Sequence, residues 1–212
     1  MTYETISHAR AIRRYGVANS RWNLVHIKQF HFSQDLPPSQ YPLVIDCQRD
    51  IESILIQLYK KNSSLDIFLE GFEEVLTPKQ ANQFKQNVQE PLLFGGAITF
   101  CAKKRISLYP TACKDLESCS DTQIHHPDEC ERRRKLFALE SIARRQPTTD
   151  PILIYGGIHS FGGVRSCGYA FTDPLLQSHH DALYEWNETH PDQKFSLVEI
   201  TPQHFLELRQ AS

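Results

Sequence analysis

The stretch "PILIYGGIHSFGG", Pro151 to Gly163, decides how the rest of the chain is read. Ile152 to Tyr155 form a short unbroken apolar run with two β-branched members, bounded by a proline and a pair of glycines. That pattern predicts a strand buried on both faces. Such strands belong to parallel sheets covered by helices, so the segment sets an α/β expectation for the whole chain. The turn after it carries His159 and Ser160 side by side. If Ser160 is the working group, the turn is a nucleophile elbow. If His159 is, it is a GxxH turn that aims an imidazole into a cleft.

The flanking sequence alternates in the same way. Asn23 to Phe30, "NLVHIKQF", interleaves apolar and polar residues and suits a strand. From Leu43 to Lys60, Val44, Cys47, Ile51, Ile54, Leu55 and Leu58 fall on one helical stripe. "LDIFLEGF" predicts a short buried strand that ends at Glu70, with Gly71 breaking it. Thr77 to Gln89 is polar and helical, and "GGAITFCAKKRISLYP" suggests a turn followed by strand-like segments. Asp128 to Arg145 predicts a helix with Leu136, Leu139, Ile142 and Ala143 as its apolar side, closed by Pro147. "DPLLQSHHDALYEWNETH" is a further helix and "KFSLVEI" a last strand. "TPQHFLELRQ" predicts a terminal helix with Thr201 as N-cap and Pro202 at its first position. Residues 1–22 form a lead-in, with a short amphipathic helix over Thr5 to Tyr15. The expected architecture is one α/β domain over residues 1–212, a mostly parallel sheet flanked by helices on both faces.

Bulk composition narrows the partners. The 212 residues carry 23 Lys and Arg against 25 Asp and Glu, a formal charge of -2, which offers no basic footprint for nucleic acid. The apolar runs fall far short of the roughly 20 residues of a membrane helix. "MTYETISHARAIRRYG" lacks the apolar core of a secretory signal. The expectation is a cytoplasmic protein, with export by a route lacking a cleaved signal left open, that acts on a small molecule or a peptide. Oligomeric state is not encoded in these features. Six cysteines, at 47, 101, 113, 119, 130 and 167, read as free thiols in a reducing compartment.

In an open parallel sheet, ligands bind beyond the carboxyl ends of the strands. His31, Glu70 and His159 each fall at that end of a predicted strand. Two imidazoles and a carboxylate are the ligand set of many catalytic zinc sites and of open iron or manganese sites, so the three are candidate metal ligands and catalytic residues. Glu73 or Glu74 offers a second carboxylate as base or ligand. The competing reading makes His31 and His159 ordinary loop histidines and Glu70 a helix-terminus carboxylate. His26, inside its strand, reads as a core histidine. "VHIKQFHF" and "LIYGGIHSF" can also be overlaid so that His31 falls on His159.

The serine reading meets a steric obstacle, because an elbow requires small residues two before and two after its serine. Gly162 satisfies one position, but Ile158 occupies the other. A triad would have to draw on Asp173 or Asp181 and His190 or His204. The glycines of "GGIHSFGG" lack both the dinucleotide spacing and a Walker lysine. "CKDLESCSDTQIHHPDEC" groups Cys113, Cys119, His125, His126 and Cys130 without a C-x-x-C pair, which reads as a polar loop more readily than as structural zinc. "ERRRK", Glu131 to Lys135, opens a helix as a solvated face. One of its arginines, with Arg133 the choice, could turn inward to hold an anionic transition state.

These residues together resemble the superfamily that joins erythromycin esterase-like proteins, ChaN-like haem-binding lipoproteins and the Tiki/TraB group. The resemblance rests on "VHIKQFHF" as a strand ending at a first histidine turn, "FLEGF" with Glu70, the arginines 132 to 134, and "IYGGIH" as a second, GxxH turn. It spans about Leu24 to Phe161. It implies an α/β core with a polar cleft of histidines, glutamates and an arginine, and in some members metal-dependent peptidase or ester-cleaving activity. Haem or iron binding without turnover is the alternative it implies. Where several relatives read G-E-x-H in the first turn, this chain has Lys28, Gln29, Phe30 and His31. Gln29 cannot carry a proton, so a base would come from Glu70, Glu73 or Glu74.

Overall fold

Alternation along two strands organises the molecule. In β2 (Trp22–Gln29), Trp22 and Leu24 join one apolar cluster while Val25 and Ile27 join another. In β5 (Ile152–Gly156), Leu153 and Tyr155 join the first and Ile152 and Ile154 the second. Successive side chains of a strand point to opposite faces, so each cluster marks one covered face of the sheet. The computed structural model describes residues 5–30, 38–87, 95–111, 127–156 and 181–205. Among these the sheet has six strands in the order β1-β6-β2-β5-β3-β4, with β1 (Ala9–Tyr15), β3 (Ile67–Leu69), β4 (Leu108–Pro110) and β6 (Phe195–Pro202) completing it. All neighbouring pairs are parallel except β1 with β6. The α/β architecture therefore holds, with a single sheet and an antiparallel strand at one edge.

Helices cover both faces. α1 (Tyr41–Lys61) buries Val44, Cys47, Ile51, Ile54, Leu55 and Leu58, the stripe expected from periodicity, against the Val25 and Ile27 face. α2 (Pro78–Asn87) and α3 (Gly96–Lys104) complete that side, through Ala81 in α2 and Ala97, Ile98, Phe100 and Cys101 in α3. α4 (Pro127–Arg145) and α5 (Asp181–Thr189) pack on the Trp22 and Leu24 face through Ala138, Leu139, Ile142, Ala143, Leu183 and Trp186. Among the described residues no helix is long and apolar enough to cross a membrane. Cys47 and Cys101 are free, and burial pushes their thiols up to about 12 and about 11. The other four cysteine side chains lie outside the described residues.

Three expectations are corrected. Residues 9–15 are the edge strand β1 and not a lead-in helix. Its partner β6 supplies a ladder from Ala9 with Pro202 to Tyr15 with Leu197, with one register shift between Ala9 and Ala11, and that tertiary pairing overrides the helical preference of Ala and Arg. Residues 96–104 form α3 where strand-like segments were expected. Gly96 lets the first turn of α3 approach the backbone of α1 so closely that a Cβ there would lie 1.9 Å from the carbonyl oxygen of Gln48. Arg105, in the left-handed region at φ 57°, ends the helix with its N–H on the carbonyl of Cys101. Finally, Thr201 and Pro202 continue β6 instead of opening a helix; the chain then turns, with the Gln203 N–H on the carbonyl of His8. The rest of that expected helix, 206–212, lies outside the described residues.

Both ends of the described chain are anchored on α1. The buried carboxylate of Asp50 accepts from Nδ1 of His8 at 3.2 Å and from the backbone N–H and Nδ1 of His204 at 2.7 and 3.0 Å.

Candidate functional site

Among the described residues the next helix after β2 is α1 and the next after β5 is α5, and they pack on opposite faces. β2 and β5 are direct neighbours, with Gln29 beside Gly156 at their carboxyl ends. Their shared edge is a topological switch point, where open α/β sheets place ligands. β3 flanks β5 on its far side, pairing Leu69 with Ile154. The three strands that precede His31, His159 and Glu70 in the chain are thus adjacent and parallel. His31 and His159 themselves lie outside the described residues.

Glu70 is described, and its surroundings are specific. Its backbone N–H donates to the carbonyl of Ile154 at 3.1 Å, which extends the β3–β5 ladder by one step. Its side chain, 11% exposed, accepts from the N–H of Gly156 on Oε2 at 2.6 Å and from Nη2 of Arg134 on Oε1 at 3.3 Å. The carboxylate therefore joins the end of β3, the end of β5 and helix α4. Gly71, at φ +84°, turns the chain away immediately afterwards, in a conformation that favours glycine. Beyond it Glu73 is half-buried and Glu74 exposed.

The arginine that meets Glu70 is Arg134, whereas Arg133, the residue chosen from sequence, is exposed. Helical stepping explains this outcome. One turn before the buried pair Ala138 and Leu139 come Arg134 and Lys135, and Lys135 is fully buried. Arg133 falls off that stripe. Arg132 forms two bonds with Glu185, at 2.7 and 2.5 Å, that tie α4 to α5.

Behind this edge, on the α4 face, is a buried polar group that sequence reading had only partly identified. His26 stands beside Glu199 in the β2–β6 register, with Nδ1 3.7 Å from Oε1; Lys28 Nζ lies 3.9 Å from the same oxygen. His26 is wholly buried, as expected for a core histidine, and burial holds its imidazole below the ordinary 6.5 against the opposing pull of Glu199. The folded chain therefore binds this proton less readily than the unfolded chain. Stability from His26 is complete above about pH 6.5 and is lost as pH falls from there toward the depressed folded value, at up to about 1.4 kcal/mol per pH unit. Urea unfolding between pH 5 and 7.5 should show this slope, and His26→Gln should remove its share.

Gln29, at the position of the missing glutamate, is also buried, and by alternation it shares the α1 face with Val25 and Ile27 while Glu70 is held toward α4. Among the described residues no group of three or more His, Cys, Asp and Glu side chains is assembled to hold a metal. Ser160, Asp173 and the segment with Cys113, Cys119, His125 and His126 lie outside the described residues, as do the side chains of Cys130 and Asp181. Of the histidines considered for a serine triad, His190 stacks on Trp186 at 3.8 Å between ring centroids. It lies just before β6 begins, at the amino edge of the sheet. His204 is engaged by Asp50.

No family model, curated protein or solved structure matches the chain.

Proposed function

We propose that the carboxyl edge of β2, β5 and β3 is a hydrolytic site of the erythromycin esterase, ChaN and Tiki/TraB type, in which His31, Glu70 and His159 hold a divalent metal. The reaction would be attack of water on the carbonyl of a small-molecule or peptide substrate. The observation that carries this reading is the Glu70 carboxylate, tied to Gly156 and Arg134 beside the switch point of the sheet. The donor chemistry suits zinc, manganese or iron, because a carboxylate oxygen has lone pairs beyond the single bond each makes here. Bound there, such an ion would supply Lewis acidity toward the carbonyl.

The chain's own residues do the rest. The Gly156 N–H fixes Glu70 at the strand end. Arg134, in place of Arg133, brings a guanidinium to the same edge, where it favours charge developing on a carbonyl oxygen. Lys28, which is partly exposed, lies 3.9 Å from the buried Glu199 carboxylate and compensates its charge. Elemental analysis of protein purified without a histidine tag tests the reading: about one equivalent of zinc, manganese or iron, retained or taken up on addition, is expected. Absence of stoichiometric binding removes the mechanism.

A second reading, a haem- or iron-binding protein of the same fold without turnover, draws on Gln29. With no carboxylate at that position, and with Glu70 already accepting two hydrogen bonds, proton transfer has fewer carriers. Spectral titration with haem, beside a panel of ester and peptide substrates, separates the two. The serine-hydrolase reading predicts fluorophosphonate labelling that disappears in Ser160→Ala.

A further inference from the structure

The Asp50 side chain is 3% exposed, yet the two imidazoles bonded to it, those of His8 and His204, are 49% and 46% exposed. Each ring reaches the carboxylate through Nδ1, His8 at 3.2 Å to Oδ1 and His204 at 3.0 Å to Oδ2. A carboxylate only accepts, so each Nδ1 carries the proton and the lone pair of the neutral ring stands on Nε2. With Nδ1 anchored inward and half of each ring exposed, both Nε2 atoms face outward from one buried carboxylate. Among the described residues no bond is made to either of them.

The backbone holds both rings in place. His8 has φ 67°, a left-handed conformation that is uncommon for a residue with a Cβ, and its carbonyl accepts from the Gln203 N–H. The His204 N–H gives Asp50 a further bond at 2.7 Å. β1 begins where β6 ends, with Ala9 beside Pro202, and β6 is parallel to β2. The pair therefore lies at the carboxyl edge of the sheet, where open α/β folds bind ligands, but beyond β6.

A metal-ligating imidazole commonly gives its other ring N–H to a carboxylate, which fixes the tautomer and strengthens the ligand. Here one carboxylate does so for two rings. We infer that His8 and His204 together bind copper(II) through their Nε2 atoms, with Asp50 behind them as the orienting group. Copper(II) is the first-row divalent ion that imidazole nitrogens hold most tightly, and water fills the positions that two side chains leave open. None of these residues belongs to the site proposed at the ends of β2, β5 and β3.

Titration of the untagged full chain with copper(II) ion alone tests this, read from the imidazole proton signals, which the paramagnetic ion broadens. In the wild type the His8 and His204 signals should broaden together while those of His190 stay sharp. His8→Asn and His204→Asn are the matched variants, because an asparagine amide still donates toward Asp50 but places nothing at Nε2. In His8→Asn the His204 signal should need more than roughly tenfold more ion to broaden, beyond what loss of an outer partner brings, and the His8 signal should behave likewise in His204→Asn. Wild-type signals of the pair that stay sharp at excess ion, or broaden one without the other, overturn the inference. So does a remaining ring that broadens at the wild-type ion concentration in either variant, since the ion is then held by a lone imidazole. Should a variant not fold, the wild-type signals and the other variant decide.

Discussion

Glu70→Ala should lower the stability of the fold by about 3 kcal/mol and reduce affinity for a divalent ion by more than roughly the hundredfold set by loss of an outer-shell partner. The carboxylate is 11% exposed and is the acceptor for both the Gly156 N–H and the Arg134 guanidinium. Its removal leaves a part-buried backbone donor and a cation without this partner, and hydrogen bonds to charged groups contribute about 1.5–3 kcal/mol each. The two bonds are not equal. Arg134 is 33% exposed, so solvent screens its share, and Arg134→Met should cost no more than about 1 kcal/mol. Glu70→Gln should fall between, because an amide oxygen can still accept from Gly156 while the charge is gone. Urea unfolding of the three variants gives the stabilities. Equal losses for Glu70→Ala and Arg134→Met would show that the ion pair, and not the strand-end bond, dominates.

Gly96→Ala should be the most damaging single-methyl change, with a loss of about 3 kcal/mol or more and a fall in Tm of roughly 6–12 °C. Two effects compete. Alanine favours a helix over glycine by about 1 kcal/mol. Against that, the new Cβ would lie 1.9 Å from the Gln48 carbonyl oxygen, 2.9 Å from its carbon and 3.1 Å from the Glu52 nitrogen. All three are backbone atoms of α1, which cannot turn aside as a side chain can. Overpacking therefore outweighs propensity, and α3 must move away from α1. A thermal scan that found the variant as stable as the wild type would mean that α1 and α3 are not seated as described. The same substitution should disturb the hydrogen bond from the Gly96 N–H to Oε1 of Gln48, 2.7 Å long in the wild type.

Periodicity made much of this fold legible. β5 was readable from four apolar residues between a proline and a glycine pair, α1 from its stripe, and α4 from Leu139, Ile142 and Ala143. The errors have a common origin in contacts that no local window contains. β1 has the composition of a helix, but its register with β6 comes from the other end of the chain. α3 reads as strand-like through Ile98, Thr99 and Phe100, and becomes helical because Gly96 fits against a carbonyl 48 residues earlier. β6 runs through Pro202 because Ala9 pairs with it.

Glu70 at a strand end was readable, whereas its bond to Arg134 was not, since the arginine expected to turn inward was Arg133 and its expected partner was an anionic transition state. The choice among those arginines was not available, since stepping the stripe of Leu136, Leu139, Ile142 and Ala143 back one turn selects Arg132 and Lys135, and Arg134 meets Glu70 from the flank of that stripe.

The central claim is that three neighbouring strand ends bring residues 31, 70 and 159 to one metal. The most direct measurement is an anomalous-difference map from crystals of the metal-loaded protein. The account predicts one strong peak about 2.0–2.2 Å from a nitrogen of His31, a nitrogen of His159 and a carboxylate oxygen of Glu70. A peak bound by other residues, or none in crystals soaked in the ion, contradicts it.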